Sequence, residues 1–244
     1  MQKLSNKVAV ITGGGSGVGK AVAKLFLDHG AKVAIAGRDG AKLEAVAKEF
    51  AVGDRLIVVP TDVTKNEACE ALIQKATAAF GQVDILVNNA GTNLKARTMR
   101  ELTPESWDMM IRTNLDGAFY CMKAVLPQMF ERKDGMIVNV VSVAGKRANP
   151  LGGAAYVAAK FAMGGLGMVL SNEEKDSGVR VSNIYPGEID TPILVQRPKP
   201  VSEEQRALIL KPEDVAEAVF FVTCLPARAS IPELVIKPTA QMYW

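Results

Sequence analysis

Lys7-Val-Ala-Val-Ile-Thr12 runs directly into Gly13-Gly-Gly-Ser16-Gly17-Val18-Gly19, and a helix-patterned stretch follows from Lys20 to His29. The first six residues form a short, apolar, β-branched run, which reads as a buried strand. Gly30 stops the helical pattern, as glycine commonly does past a helix end. Strand, glycine turn and helix in that order is the setting of a dinucleotide-binding turn. Glycines let the backbone approach a pyrophosphate, and the helix N-terminus offers free N–H groups at the positive end of its dipole. The competing reading is a glycine-rich loop with no ligand.

The alternation continues outward from this turn. Strands are predicted at Lys7–Thr12, Lys32–Ala36, Arg55–Val59, Asp84–Asn88, Met136–Ser142, Val179–Tyr185 and Glu233–Lys237. Helices are predicted at Gly17–His29, Gly40–Phe50, Asn66–Phe80, Pro104–Phe130, Gly152–Asp176 and Pro212–Leu225. Continuous apolar strands alternating with helices predict an α/β fold, a Rossmann-type, doubly wound, mainly parallel seven-stranded sheet with helices on both faces. No linker or repeat divides the chain, so residues 1–244 read as one domain. The one long irregular segment is the Pro-rich Thr191 to Lys211, a lid or a plain excursion.

Chemistry is carried by Tyr156-Val-Ala-Ala-Lys160, with Ser142 fourteen residues before it. Residues four apart on a helix point the same way. An ammonium beside a phenol favours the phenolate, so Lys160 is expected to lower the pKa of Tyr156 into a range useful at neutral pH. A chance pair on a surface helix is the bland alternative. Ser142 sits at the carboxyl end of an apolar strand, where ligands of open α/β sheets bind. His29 is the single histidine, which argues against a nucleophilic serine or a multi-histidine metal site, and no metal is predicted. The role left for Ser142 is to hydrogen-bond a carbonyl oxygen; otherwise it is a turn serine before Ala144-Gly145. Asn114 lies inside a predicted helix, where asparagine is a poor former, so a polar role is favoured.

The spacing Thr12-Gly13-x-x-x-Gly17-x-Gly19, with Asn88-Asn89-Ala90-Gly91, Asn114, Ser142, Tyr156, Lys160 and Pro186-Gly187, resembles the short-chain dehydrogenase/reductase family over nearly the whole length. The resemblance implies an oxidoreductase that moves a hydride between a nicotinamide and a small carbonyl or secondary alcohol. It implies Tyr156 as general acid and base, Lys160 binding the nicotinamide ribose, and Asn114 behind the lysine holding a water. It places the cofactor against Gly13, Ser16, Gly17, Val18 and Gly19, against Asp62 and Val63, and against Asn89, Ala90 and Gly91. Pro186, Gly187, Ile189 and Thr191 would flank the nicotinamide. Asp62 has a second reading as a helix cap.

The end of the second strand bears on cofactor choice. NAD binders carry an acidic residue there for the ribose 2′-OH. Here the position is Gly37, followed by Arg38, and a guanidinium suits the 2′-phosphate of NADP. Asp39 is the competing ribose acceptor, but it also fits as the N-cap of the helix at Gly40. NADP is expected, with NAD as the alternative.

Composition limits the remaining classes. Net charge is +3, from 29 basic and 26 acidic residues, so no nucleic-acid or membrane partner is indicated. Cys69, Cys121 and Cys224 are isolated, which fits a reducing compartment. No apolar signal region opens the chain, and no apolar run approaches the length of a membrane span; a cytoplasmic location is expected.

Two departures from the family pattern bear on assembly and substrate. Ile231-Pro-Glu-Leu-Val-Ile-Lys-Pro-Thr239 replaces the usual Thr-Gly…Asp-Gly-Gly ending. The segment Ser182-Asn183-Ile-Tyr-Pro-Gly187 looks more like the branch that oxidises small hydroxy acids than the acyl-carrier-protein reductases. Tyr120, Met122, Met129, Gly164, Gly165 and Gly167 fit a helix–helix subunit contact, so a homodimer or homotetramer is expected. Trp107, Met109, Met110 and Phe119 read as core or subunit contact. A nucleotide sensor without turnover is the alternative of another class.

Overall fold

The structure, a computed structural model, describes residues 2–242. Its strands are β1 (Val8–Thr12), β2 (Lys32–Gly37), β3 (Leu56–Pro60), β4 (Ile85–Asn88), β5 (Gly135–Val140), β6 (Val179–Pro186) and β7 (Glu233–Ile236). They form one sheet in the order β3-β2-β1-β4-β5-β6-β7, with every pairing parallel. The main helices are α1 (Gly17–Asp28), α2 (Gly40–Phe50), α3 (Asn66–Phe80), α4 (Pro104–Ile111), α5 (Gly117–Arg132), α6 (Ala154–Glu173), α7 (Glu203–Leu208) and α8 (Pro212–Thr223).

Alternation along β1 explains the two layers. Ala9 and Ile11 point to the face covered by α1, α2 and α8, and Val10 to the face covered by α3, α5 and α6. Burial on both faces is why these strands are continuously apolar. Phe26 on α1 is fully buried, worth about 1.5–3 kcal/mol for a side chain of this size.

The strand order reverses between β1 and β4, which opens a crevice at their carboxyl ends. Asn89 closes the seam there. Its Nδ2 donates to the Thr12 carbonyl at 2.9 Å, while Thr12 Oγ1 accepts from the Asn89 and Ala90 amides at 3.0 Å each. A second set of asparagines crosses the sheet. Asn88 Nδ2 donates to Asn139 Oδ1 at 3.0 Å, and Asn139 Nδ2 to Asn183 Oδ1 at 2.9 Å. Asn183 Nδ2 then reaches the Gly164 carbonyl on α6 at 3.0 Å. Parallel register puts the three side by side, so these otherwise costly buried amides bond one another, and only Asn88 Oδ1 at the start of the ladder is left without a partner among the described residues.

Several boundaries differ from expectation. β5 stops at Val140, so Ser142 stands past the strand and caps a short 3-10 turn, accepting from the Ala144 amide at 3.1 Å. The helix predicted over Pro104–Phe130 is interrupted by a π turn at Arg112–Asp116. The extra residue of that turn lets Asn114 point inward, and such bulges are frequent at functional sites. α6 begins at Ala154 because Gly153, at φ +80°, turns the chain just before it. The segment from Thr191 to Lys211 is not irregular throughout. It holds a 3-10 turn at Pro192–Gln196 and α7, whose capping box joins Ser202 and Gln205. A parallel bridge between Ile189 and Leu210 closes its base.

α6 is long and apolar enough to cross a membrane by length and composition, alone among the described helices and contrary to expectation. In this fold its Ala159, Met163, Gly164, Gly167 and Leu170 are buried. Met122 and Met129 are buried in the core of their own chain, which corrects their reading as subunit contacts. Met110 is buried as well, whereas Trp107 and Phe119 are exposed.

Candidate active site

The β1–α1 turn, the ends of β4, β5 and β6, and the start of α6 surround one cavity of about 550 Å³. Of the residues proposed from sequence, Gly13, Ser16, Gly17, Val18, Asn89, Gly91, Asn114, Ser142, Tyr156, Lys160, Pro186, Gly187, Ile189 and Thr191 line it. Gly19, Arg38, Asp62, Val63 and Ala90 lie outside its wall. Arg38 follows β2 with an exposed side chain. Val63 is buried under Gly117. Asp62 Oδ1 accepts from the Thr64 amide at 3.1 Å and from its hydroxyl at 2.9 Å, which closes a turn ahead of α3; the N-cap of that helix is Lys65, so the helix-cap reading of Asp62 is corrected. Asp39 is the N-cap of α2. Its Oδ1 accepts from the Lys42 amide at 3.1 Å, and its Oδ2 lies 3.7 Å from Lys42 Nζ.

The glycine turn is shaped for close approach. Gly13 sits at φ +70°, and a Cβ there would meet Asn89 Nδ2 at 2.7 Å. Ser16 is the N-cap of α1, and its side chain makes no capping bond. The turn therefore presents backbone N–H groups and a spare hydroxyl to the cavity, a cradle that fits a pyrophosphate.

On α6, Tyr156 is half-buried and Lys160 is 3% exposed. Lys160 Nζ donates to the Val140 carbonyl at 3.0 Å and lies 5.8 Å from the centroid of the Tyr156 ring. Burial pulls the lysine down from its ordinary 10.5 to about 8. Burial also pushes the Tyr156 phenol up. This corrects the expectation that Lys160 lowers it, because desolvation of the phenolate outweighs the nearby charges. What opposes the rise is the Ser142 hydroxyl beside the phenol and then two arginines, Arg197 and Arg97.

Asn114 is 1% exposed. Its Oδ1 accepts from the Thr92 amide at 3.1 Å, and its Nδ2 donates to the Thr92 and Met110 carbonyls at 3.1 and 3.0 Å. It ties the π turn to the loop after β4. Gly91 has to be glycine here, since a Cβ would stand 2.9 Å from Asn114 Oδ1. No group of three or more His, Cys, Asp and Glu among the described residues is placed to hold a metal.

The two cavity arginines were not legible in the sequence. Arg97 lies in the loop after β4, and Arg197 at the end of the 3-10 turn. No local spacing ties either to Tyr156; Arg97 is brought there by its contacts with Leu151, Gly153 and Ala154 at the start of α6, and Arg197 by the folded path of Thr191–Lys211.

The short chain dehydrogenase family matches residues 7–201. A protein of Staphylococcus aureus (strain MRSA252) described as an uncharacterized oxidoreductase is 38% identical over 98% of this chain and 100% of its own. Among solved structures, the closed form of serine dehydrogenase complexed with NADP+ superposes with a TM-score of 0.89 at 33% identity, covering 97% of this chain and 96% of that one. A 3-ketoacyl-(acyl-carrier-protein) reductase from Brucella melitensis, complexed with NADH, gives 0.87 at 34% identity, covering 96% and 97%. The chain belongs to the short-chain dehydrogenase/reductase family, and it is an oxidoreductase of that family.

Proposed function

We propose that this protein reduces a small carbonyl compound, or oxidises the matching secondary alcohol, with NADP(H). The observation that carries the reading is the convergence of Ser142, Tyr156 and Lys160 on the cavity that the glycine turn opens into. The cofactor, when bound, supplies or accepts the hydride; the chain supplies position and proton transfer. In reduction the Tyr156 hydroxyl donates its proton to the substrate oxygen as that oxygen gains negative charge, and Ser142 hydrogen-bonds the same oxygen. The Lys160 ammonium stabilises the resulting phenolate. Oxidation runs the same proton in reverse.

NADP is favoured because both Asp39 oxygens are engaged by Lys42, which leaves Arg38 as the group suited to the end of β2. Arg38 makes no hydrogen bond or ion pair with another described residue, so its five donors are free for a phosphate. NAD is the second reading, supported by the NADH in the Brucella melitensis relative. Exposed Phe119, Phe161 and Val169 on α5 and α6 support assembly through these helices, and a cytoplasmic homo-oligomer is part of the reading. The test is a panel of small carbonyl compounds followed by NADPH absorbance, with Tyr156→Phe as control. A panel with no NADPH consumption, or a fully active Tyr156→Phe protein, would remove it.

A further inference from the structure

Arg97 is a buried cation without a counter-ion. It is 5% exposed, on a loop, yet pairs with no carboxylate among the described residues. Its Nη1 donates to the Leu151 carbonyl at 2.7 Å and its Nη2 to the Gln196 carbonyl. Both acceptors are neutral. Two of five guanidinium N–H groups are thereby used, and Nε is buried with no partner at all. A buried charge is costly unless it is paired.

The surroundings sharpen the imbalance. The cavity wall carries Lys42, Arg97, Lys160 and Arg197 against the single carboxylate of Glu188. Glu188 is already spent on Arg197, Oε2 to Nη2 at 3.2 Å. Burial, and after it the charge of Arg197, lower the Arg97 guanidinium from its ordinary value, so the two cations repel across the site. Arg97 is also close enough to Tyr156 for its charge to act on the phenol. The missing charge therefore belongs next to the reacting oxygen.

Building on the hydride-transfer reading above, we infer that Arg97 is the anion anchor of the substrate site and that the substrate carries a carboxylate beside its reacting carbonyl or alcohol. The three remaining N–H groups of Arg97 suit the two oxygens of a carboxylate, which pairs with guanidinium in a planar fork. Arg97 holds the carboxylate while Ser142 and Tyr156 face the reacting oxygen. Because Arg97 also bonds Gln196, the same residue ties the occupied site to the 3-10 turn over it.

The test compares matched pairs on the full chain with NADP(H): 3-hydroxybutyrate against its methyl ester, and a small keto acid against its methyl ester. Wild type should prefer the acid in kcat/KM by about 10²-fold, the size of a lost charge-assisted bond. In Arg97→Met that preference should fall below about 10-fold, mainly through KM, and Arg97→Lys should keep part of it. Binding is read separately from turnover: malonate should raise the Tm of the NADP-bound wild type and malonamide should not, at matched ionic strength. A wild type that prefers the neutral partner, or an Arg97→Met protein that keeps the full acid preference, would overturn the assignment. So would malonate and malonamide raising Tm alike, which needs no folded variant. Equal loss on acid and neutral substrates in Arg97→Met would reduce Arg97 to a latch on Gln196. A wild type inactive on every compound, yet protected by malonate, would instead fault the hydride-transfer reading.

Discussion

Lys160 Nζ faces the Tyr156 ring from 5.8 Å and spends a hydrogen bond on the Val140 carbonyl at 3.0 Å. The lysine is thus tied to the sheet, one turn of α6 from the phenol it serves. Burial raises the phenol and lowers the ammonium to about 8. The two groups move apart in proton affinity, so the ammonium loses its proton before the phenol does.

One consequence is spectroscopic. Ligand-free wild type minus Tyr156→Phe should show a tyrosinate component ionising above the ordinary phenol value near ~10. Oxidised nicotinamide brings positive charge to the cavity, so saturating NADP+ should move that component down. Ultraviolet titration of the two proteins checks both statements. A Tyr156 component at or below the ordinary value without cofactor would contradict the burial effect.

Lys160 should cost stability for the sake of chemistry. Its folded pKa lies below its unfolded one, from 10.5 to about 8. Between those values the unfolded chain binds a proton that the native chain does not, so native stability rises with pH across the window. Below about 8 the whole penalty is present, on the order of 3 kcal/mol for a shift of this size. Lys160→Met should therefore gain on wild type at pH ~7, less what the lost bond to Val140 costs, about 1 kcal/mol. Its advantage should shrink by pH ~9.5 while turnover falls at every pH. Urea unfolding at several pH values is the measurement. An advantage that does not change with pH would mean that Lys160 is not buried as a charge.

Sequence made the frame legible because the frame is local. The run Lys7–Thr12, the glycines after it and the alternation of apolar strands with helices each announce themselves within a dozen residues. Ser142, Tyr156 and Lys160 were readable for the same reason, through their spacing on one strand end and one helix. What escaped is what the fold assembles from distant parts. The ladder Asn88–Asn139–Asn183 needs parallel register, and Arg97 meets Tyr156 only once the loop after β4 has packed against Leu151–Ala154 at the start of α6. The π turn escaped because one extra residue in a helix leaves no mark in apolar periodicity. The direction of the Tyr156 shift was missed because spacing reports a neighbouring charge but not desolvation.

Cofactor preference tests an exposed residue. Arg38→Ala should weaken NADPH by about 10–10²-fold, the range of a lost charge-assisted bond to a phosphate, and NADH far less. Arg38 has no partner among the described residues, so Tm without cofactor should not move by more than a surface change does. Titration with each reduced cofactor by fluorescence measures this. Equal losses for the two would move the 2′-phosphate contact elsewhere, with Lys42 on the cavity wall as the next residue to test.

Asn114 is the last residue whose role the geometry makes testable. Each of its amide hydrogens and one oxygen lone pair is already used on backbone groups of Thr92 and Met110. Replacing it by Ala leaves a buried N–H and two carbonyls without that partner, at about 1–3 kcal/mol for each that finds no other. Asn114→Ala should lose about 2–4 kcal/mol by urea unfolding, and the Thr92 amide should exchange faster with solvent. The loop bearing Gly91 forms the cavity wall beside Lys160, so turnover should fall with the loss of the tie. Asn114→Asp keeps the acceptor for Thr92 N–H but turns a buried carboxylate oxygen on the Thr92 and Met110 carbonyls, so it should be no more stable than Asn114→Ala. If Asn114 served only to hold a water for Lys160, Asn114→Ala would change turnover and its pH profile while leaving stability and Thr92 exchange as in wild type. That outcome would replace the tie between the π turn and the β4 loop with a purely catalytic role.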